Sequence, residues 1–205
     1  MVNLPYSENI PDRLTRDFYA RETVHVACDL IGKKLVRHFD NAVLIGRIVE
    51  TEAYRGSDDA ASHAFNGRTK RNAPMFGAPG HTYIYFIYGM HWLFNISAHI
   101  EGVPGGILIR ALAPERNIAK MQTLRRQVSL DRLTNGPARL AQALKLDGAL
   151  DDIDLVTHMD LYITDGALAA GETIANGPRM RVPGDDLAQN RPWRFWIRDN
   201  PYISS

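Results

Sequence analysis

The chain has a single cysteine, Cys28, among its 205 residues. An internal disulfide is therefore excluded, and the composition fits a reducing compartment. No apolar run is long enough to span a bilayer, and the N-terminus shows no secretion signal. A soluble intracellular protein with no membrane partner is expected. Charge of a dominant sign is also missing, since 24 Lys and Arg face 23 Asp and Glu. The formal net charge of +1 gives no whole-molecule field that would attract a polyanion. The chain carries no Gly-x-Ser-x-Gly elbow, no phosphate-cradling glycine loop and no dinucleotide fingerprint between a strand and a helix. His63 with Asp58 and Asp59 comes nearest to a metal cluster, but carboxylates in a Gly-rich loop are usually solvated. No metal and no cofactor is expected. Internal repeats, low-complexity tracts and dividing linkers are absent as well, and the length suits one domain with a full core.

What is present reads as hairpins plus separate helices. Thr23 to Ile31 has helical spacing and stops at Gly32, with Cys28 on its core side. Lys34 to Phe39 predicts a strand, turned by Asp40-Asn41 into a long apolar strand from Ala42. Residues 55–80, rich in Gly, Pro and Asn, predict a long functional loop. Thr82 to Tyr88 and Trp92 to Ser97 predict a hairpin across Gly89, followed by a strand over Gly106–Leu112. A helix is expected near Glu115–Arg126, and another over Gly136–Leu144 with Pro137 at its start. Short strands are expected near Leu161–Thr164, Met180–Val182 and Phe195–Arg198. The pattern predicts an α+β single domain around a curved antiparallel sheet with flanking helices, spanning 16–205. Residues 1–15, with Pro5 and Pro11 and little periodicity, are expected to lie loose on the surface.

The long strand ends in Val49-Glu50-Thr51-Glu52-Ala53-Tyr54. Residues two apart share a strand face, so Glu50, Glu52 and Tyr54 should align. An acid beside an aromatic at a strand end is either a solvated rim or the floor of a pocket. Tyr83 and Tyr85 share a face in the next strand and can simply pack a core. Tyr88 falls at the hairpin tip, where there is little core to join. Asn95 is an amide inside an apolar strand, and it either ties down a loop or meets a ligand. Basic residues cluster locally: Arg68, Lys70 and Arg71; Arg125 and Arg126; Arg179 and Arg181; Arg191, Arg194 and Arg198.

Taken in order, several of these stretches resemble the alkyladenine (3-methyladenine) DNA glycosylase family. They are Val49 to Tyr54, the loop His63, Tyr83 to Met90, Asn95-Ile96-Ser97, Leu108-Ile109-Arg110-Ala111, Asn135-Gly136-Pro137 and Pro192 to Phe195. The resemblance runs from about residue 16 to the end of the chain. It implies a single mixed domain around a curved antiparallel sheet. It also implies a repair enzyme that flips alkylated or deaminated purines from double-stranded DNA and hydrolyses the N-glycosidic bond. By resemblance Glu52 is the general base, Tyr54 stacks on one face of the base, and His63 and Tyr85 stack on the other. The backbone around Ala61 and His63 reads the base edge, and Asn95 polices the purine 2-position. Tyr88 fills the gap left in the duplex, with Met90, Arg68 and Arg181 against the DNA. Arg110 and the backbone carbonyl of Met180 hold the attacking water. Arg181 stands where the family usually has glycine, so it either perturbs the water site or adds a phosphate contact. No lysine matches a catalytic position, which implies an abasic product without strand cleavage, formed by a monomer.

Two other classes compete. A non-catalytic nucleic-acid-binding module could share the sheet, but it gains nothing from a carboxylate facing a polyanion. A metal-dependent hydrolase using Glu52, Asp58 and His63 would lose activity with a chelator.

Overall fold

The computed structural model describes residues 13–100 and 102–204. Of the segment expected to lie loose, residues 1–12 fall outside the described residues. Leu14 is docked, its N–H donating to Ile163 O at 3.0 Å. Two short helices follow, α1 (Arg16–Tyr19) and α2 (Thr23–Asp29). The Glu22 carboxylate caps α2 by accepting from the N–H groups of Val24 and His25. Gly32, at φ +89°, releases the chain into the sheet; a Cβ there would lie 3.2 Å from the Ala167 backbone.

The hairpin β1 (Lys34–Phe39) and β2 (Ala42–Tyr54) closes through Asp40 and Asn41, both at positive φ. That is the two-residue loop whose twist matches the strands it joins. A second hairpin pairs β3 (Thr82–Ile87) with β4 (His91–Ser97), leaving Tyr88, Gly89 and Met90 as its tip. β5 (Gly106–Arg116) then pairs with β4 on one side and β2 on the other. It runs four residues past the expected end at Leu112, because Pro114 and Arg116 still pair with Gly46 and Ile45. The helix after it is correspondingly shorter than expected, α3 (Ile118–Leu124), and starts only after Asn117 turns left-handed. α4 (Pro137–Ala143) agrees with the reading from Pro137.

β6 (Leu161–Thr164) extends the sheet beyond β1, giving the order β3-β4-β5-β2-β1-β6. β7 (Ile174–Gly177) pairs with β8 (Arg194–Ile197), and α5 (Asp186–Asn190) lies between them in sequence. β8 in turn pairs with the far half of β2, at Glu50 to Glu52. One edge of β2 thus serves β1 up to Arg47 and β8 from Glu50. The result is a curled antiparallel sheet with helices, a single α+β domain. The strand expected at Met180–Val182 is not there. Pro178 and Pro183 bracket that stretch, Arg181 takes φ +52°, and the Met180 N–H is spent on a side chain. The strand forms earlier, as β7.

Leu30, Leu44, Ile48, Ile96, Ile107, Ile109 and Leu112 are fully buried between the sheet and α2 and α4. Burial of each such side chain contributes about 1.5–3 kcal/mol, and together they hold the strands that carry the site.

Candidate active site

Glu50, Glu52 and Tyr54 do align, while Thr51 points the other way and donates to Ala27 O of α2 at 2.7 Å. Opposite them the ladder of β2 and β5 slips twice. Val49 is the extra residue on β2, and Arg110 is the extra residue on β5, between Ala111 and Ile109. A bulged residue leaves the ladder and can aim its side chain elsewhere. Arg110 turns onto the acids, donating from Nη1 to Glu52 Oε2 at 3.1 Å and from Nε to Glu50 Oε1 at 3.2 Å. Burial alone would push the Arg110 guanidinium down in pKa, but the charges of Glu52 and Glu50 raise it instead.

Glu52 has no exposed surface. Its Oε2 also accepts from the Tyr54 hydroxyl at 2.8 Å, and its Oε1 accepts from the Met180 N–H at 2.6 Å. The resemblance implied a role for the Met180 carbonyl; the group that meets Glu52 is the N–H. A carboxylate offers about four lone-pair positions, and three are filled. One acceptor position on Oε1 carries no protein donor. Burial and the neighbouring Glu52 charge raise the Tyr54 pKa well above its usual value, so its hydroxyl stays a donor.

Tyr54, Arg110 and Met180, the three residues that hold Glu52, also line a cavity of ≈ 470 Å³, together with His63, Tyr85 and Asn95. The His63 and Tyr85 rings meet edge to face, with centroids 4.7 Å apart, and Tyr83 lies behind them. His63 Nδ1 is 2.8 Å from the Tyr83 hydroxyl. Burial and the Arg71 cation push the His63 pKa down, so the ring is neutral near pH 7. Burial likewise raises Tyr85 to about 12. The guanidinium of Arg179 packs on Tyr54 at 4.7 Å from its centroid. Flat aromatic walls beside one carboxylate suit a planar, electron-poor ligand.

The loop 55–80 is tied down by buried polar groups, among them Asp59, which the sequence offered only as a solvated carboxylate beside His63. Asp59 is fully buried and makes a two-pronged ion pair with Arg179, at 2.6 and 2.7 Å. It also accepts from the N–H groups of Arg55 and Ala61, which fixes the backbone leading to His63. Asn72, almost wholly buried, donates to His63 O and Gly67 O. The resemblance gave neither residue a role; a buried amide and a buried acid in a polar loop were the only available signals.

Asn95 donates from Nδ2 to Tyr83 O at 3.1 Å, so its amide is held by the neighbouring strand rather than by a loop, and it also lines the cavity. Tyr88 is 83 % exposed at φ +54°, with Met90 beside it at the hairpin tip. Arg181 lines the opposite lip, and Arg68 is exposed on the loop. The basic clusters read from the sequence are only partly at the surface. Arg179 is internal, Arg194 donates to Glu50 at 2.6 Å, and Arg191 faces Asp58 and Trp193. Asp58, exposed, is occupied by Arg55 and Arg191. Among the described residues no group of three His, Cys, Asp or Glu gathers where a metal could be held. Among the same residues no helix is long and apolar enough to cross a membrane.

This arrangement agrees with what the chain is similar to. A protein of Carboxydothermus hydrogenoformans, provisionally named a 3-methyladenine DNA glycosylase, is 46% identical over 192 residues, covering 93% of this chain and 98% of its own. Similarly named proteins of Clostridium perfringens and Burkholderia orbicola are 39% and 44% identical, covering 94% and 92% of this chain and 98% and 89% of their own. Residues 17–201 match the family described as methylpurine-DNA glycosylase, and the chain belongs to that family of N-glycosyl hydrolases acting on DNA.

Proposed function

We propose that the cavity receives a damaged purine rotated out of duplex DNA and that Glu52 activates water to cut its N-glycosidic bond. The substrates are 3-methyladenine, 7-methylguanine, hypoxanthine and ethenoadenine. The observation that carries this reading is the setting of Glu52, a buried carboxylate held by Tyr54, Arg110 and Met180, three residues that themselves line an aromatic cavity.

Rotating a nucleotide out of the duplex costs roughly a few kcal/mol. Tyr88, exposed at the hairpin tip, inserts into the vacancy and offsets part of that cost. The extruded base stacks against Tyr54, His63 and Tyr85, at about 1–3 kcal/mol per aromatic contact. A methylated purine carries positive charge, which π-rich walls and a neutral His63 accept without repulsion. Such a base is already a good leaving group. One ionised carboxylate then takes the proton from water and faces the positive charge developing on the sugar. Arg110 and the Met180 N–H hold that carboxylate in place. A neutral lesion such as hypoxanthine needs protonation through water. No lysine lines the cavity among the described residues, which supports hydrolysis to an abasic site without strand cleavage. Asn95 screens the purine 2-position, and its bond to Tyr83 O keeps it from swinging aside for a 2-amino group. Met90 and Arg68 contact the DNA outside the cavity, and Arg181 contacts it at the cavity's edge.

Tyr88→Ala is the test of extrusion. With an ethenoadenine duplex, whose fluorescence changes when the base leaves the stack, wild-type protein gives a large signal and the variant a small one. Base release by the variant falls about tenfold or more on duplex and much less on single strands, where no vacancy needs filling. Equal losses on both substrates contradict the wedge role.

Arg181 at φ +52° occupies a conformation that costs a non-glycine residue about 1–2 kcal/mol. Arg181→Gly therefore stabilises the fold by up to about 1 kcal/mol after its own entropy cost, a few degrees in Tm. If Arg181 touches phosphate, the same variant shows a shallower dependence of DNA binding on salt. An unchanged slope removes it from the DNA contacts.

A further inference from the structure

Behind Glu52 lies a second acid with a full set of partners and no role in the chemistry described so far. Glu50 is wholly buried, and it accepts four hydrogen bonds. They come from Arg110 Nε, from Arg194 Nε at 2.6 Å, from the Ser204 N–H at 2.6 Å and from the Ser204 hydroxyl at 2.8 Å. Ser204 also faces the guanidinium. Its Oγ accepts from Arg110 Nε at 3.2 Å and from Nη2 at 3.1 Å, and it lies 3.5 Å from Met180 Sδ. Met180 Sδ in turn accepts from Arg110 Nη2 at 3.4 Å. Ser204 is 7 % exposed and lies beyond the residues 17–201 that match the family.

These contacts divide the guanidinium between two edges. Nη1 alone reaches Glu52, while Nε and Nη2 are held by Glu50, Ser204 and Met180. A buried guanidinium between two carboxylates can move toward either, and its place is set by the hydrogen bonds on the far edge. We infer that Ser204, working through Glu50, is a positioning residue that holds Arg110 against Glu52. Ser204 thus acts on the carboxylate through Arg110 without touching the substrate. This inference rests on the reading of Glu52 as the catalytic carboxylate.

Ser204→Ala removes the hydroxyl and leaves Arg110 Nε with Glu50 alone and Nη2 with only the weakly accepting Met180 sulfur. Hydrogen bonds to charged groups are strong enough that the single-turnover rate of hypoxanthine release should fall about ten- to a hundredfold. Affinity for a duplex carrying a tetrahydrofuran abasic analogue should stay within about twofold of wild type, because Ser204 is buried away from the surface. Ser204→Thr, which keeps the hydroxyl, should restore the rate to within about threefold. A thermal melt on each variant separates misfolding from mispositioning, since rescue by threonine of rate but not of Tm cannot come from stability.

Ser204→Ala at the wild-type rate overturns the inference, as does a threonine variant as slow as the alanine one. Glu52→Gln runs alongside as a separate control. If that variant keeps its activity the reading of Glu52 fails, whereas a dead Glu52→Gln with an unimpaired Ser204→Ala sinks only the positioning role.

Discussion

Glu52→Gln is expected to abolish base release while leaving the binding of damaged duplex intact or tighter. The amide keeps the shape of the side chain but cannot take a proton from water, and general-base catalysis supplies about 10²–10⁴-fold in rate. Its amino group would also face the Arg110 guanidinium or the Met180 N–H, two donors that now point at carboxylate oxygens. The local cost therefore adds to the lost base, and a fall of at least about 10³-fold is expected. Binding follows a different logic, because removing a negative charge near phosphates reduces repulsion. A Gln variant that kept a tenth of the wild-type single-turnover rate would contradict the role given to Glu52.

The second large effect falls on stability. Arg179→Met leaves Asp59 as an unpaired charge in a site with no exposed surface. Breaking such a pair from one side costs about 3–5 kcal/mol. For a domain of this size that is on the order of 10 °C in Tm. The loss reaches the site as well, because Asp59 accepts from the Ala61 N–H and Arg179 backs the Tyr54 ring. Pairing Arg179→Met with Asp59→Leu should recover part of the stability, since two apolar groups leave no orphaned charge. A single variant that melts within about 2 °C of wild type would show that the pair does not hold the loop.

The two hairpins were legible in the sequence because their signals are local. Asp40-Asn41 names its own turn, and period-two alternation put Glu50, Glu52 and Tyr54 on one face. The same alternation left open whether the acids formed a solvated rim or a pocket floor, and what decides burial there lies elsewhere in the chain. Their supports could not be read. Arg110 reaches Glu52 only because a bulge places it outside the ladder, and single-strand patterning does not show a bulge. Asp59 meets Arg179 across 120 positions, and Glu50 meets Ser204 across 154. No periodicity reports contacts at such separations. The strand expected at Met180–Val182 failed on a related point. Its apolar pattern was right for a strand, but its backbone donor was needed by Glu52, and the chain bends there instead. The local clustering of Arg179, Arg191 and Arg194 says as little about their place, since sequence shows that an arginine is present but not which acid holds it.

The most direct test is product analysis on wild-type protein. A hypoxanthine-containing duplex is incubated with enzyme in EDTA and analysed for free base and for strand integrity, before and after alkali. Free hypoxanthine is expected, with the strand intact until alkali cuts it at the abasic site. No free base, or release only when metal is restored, would contradict hydrolysis by Glu52, and a strand cut without alkali would contradict the simple abasic product.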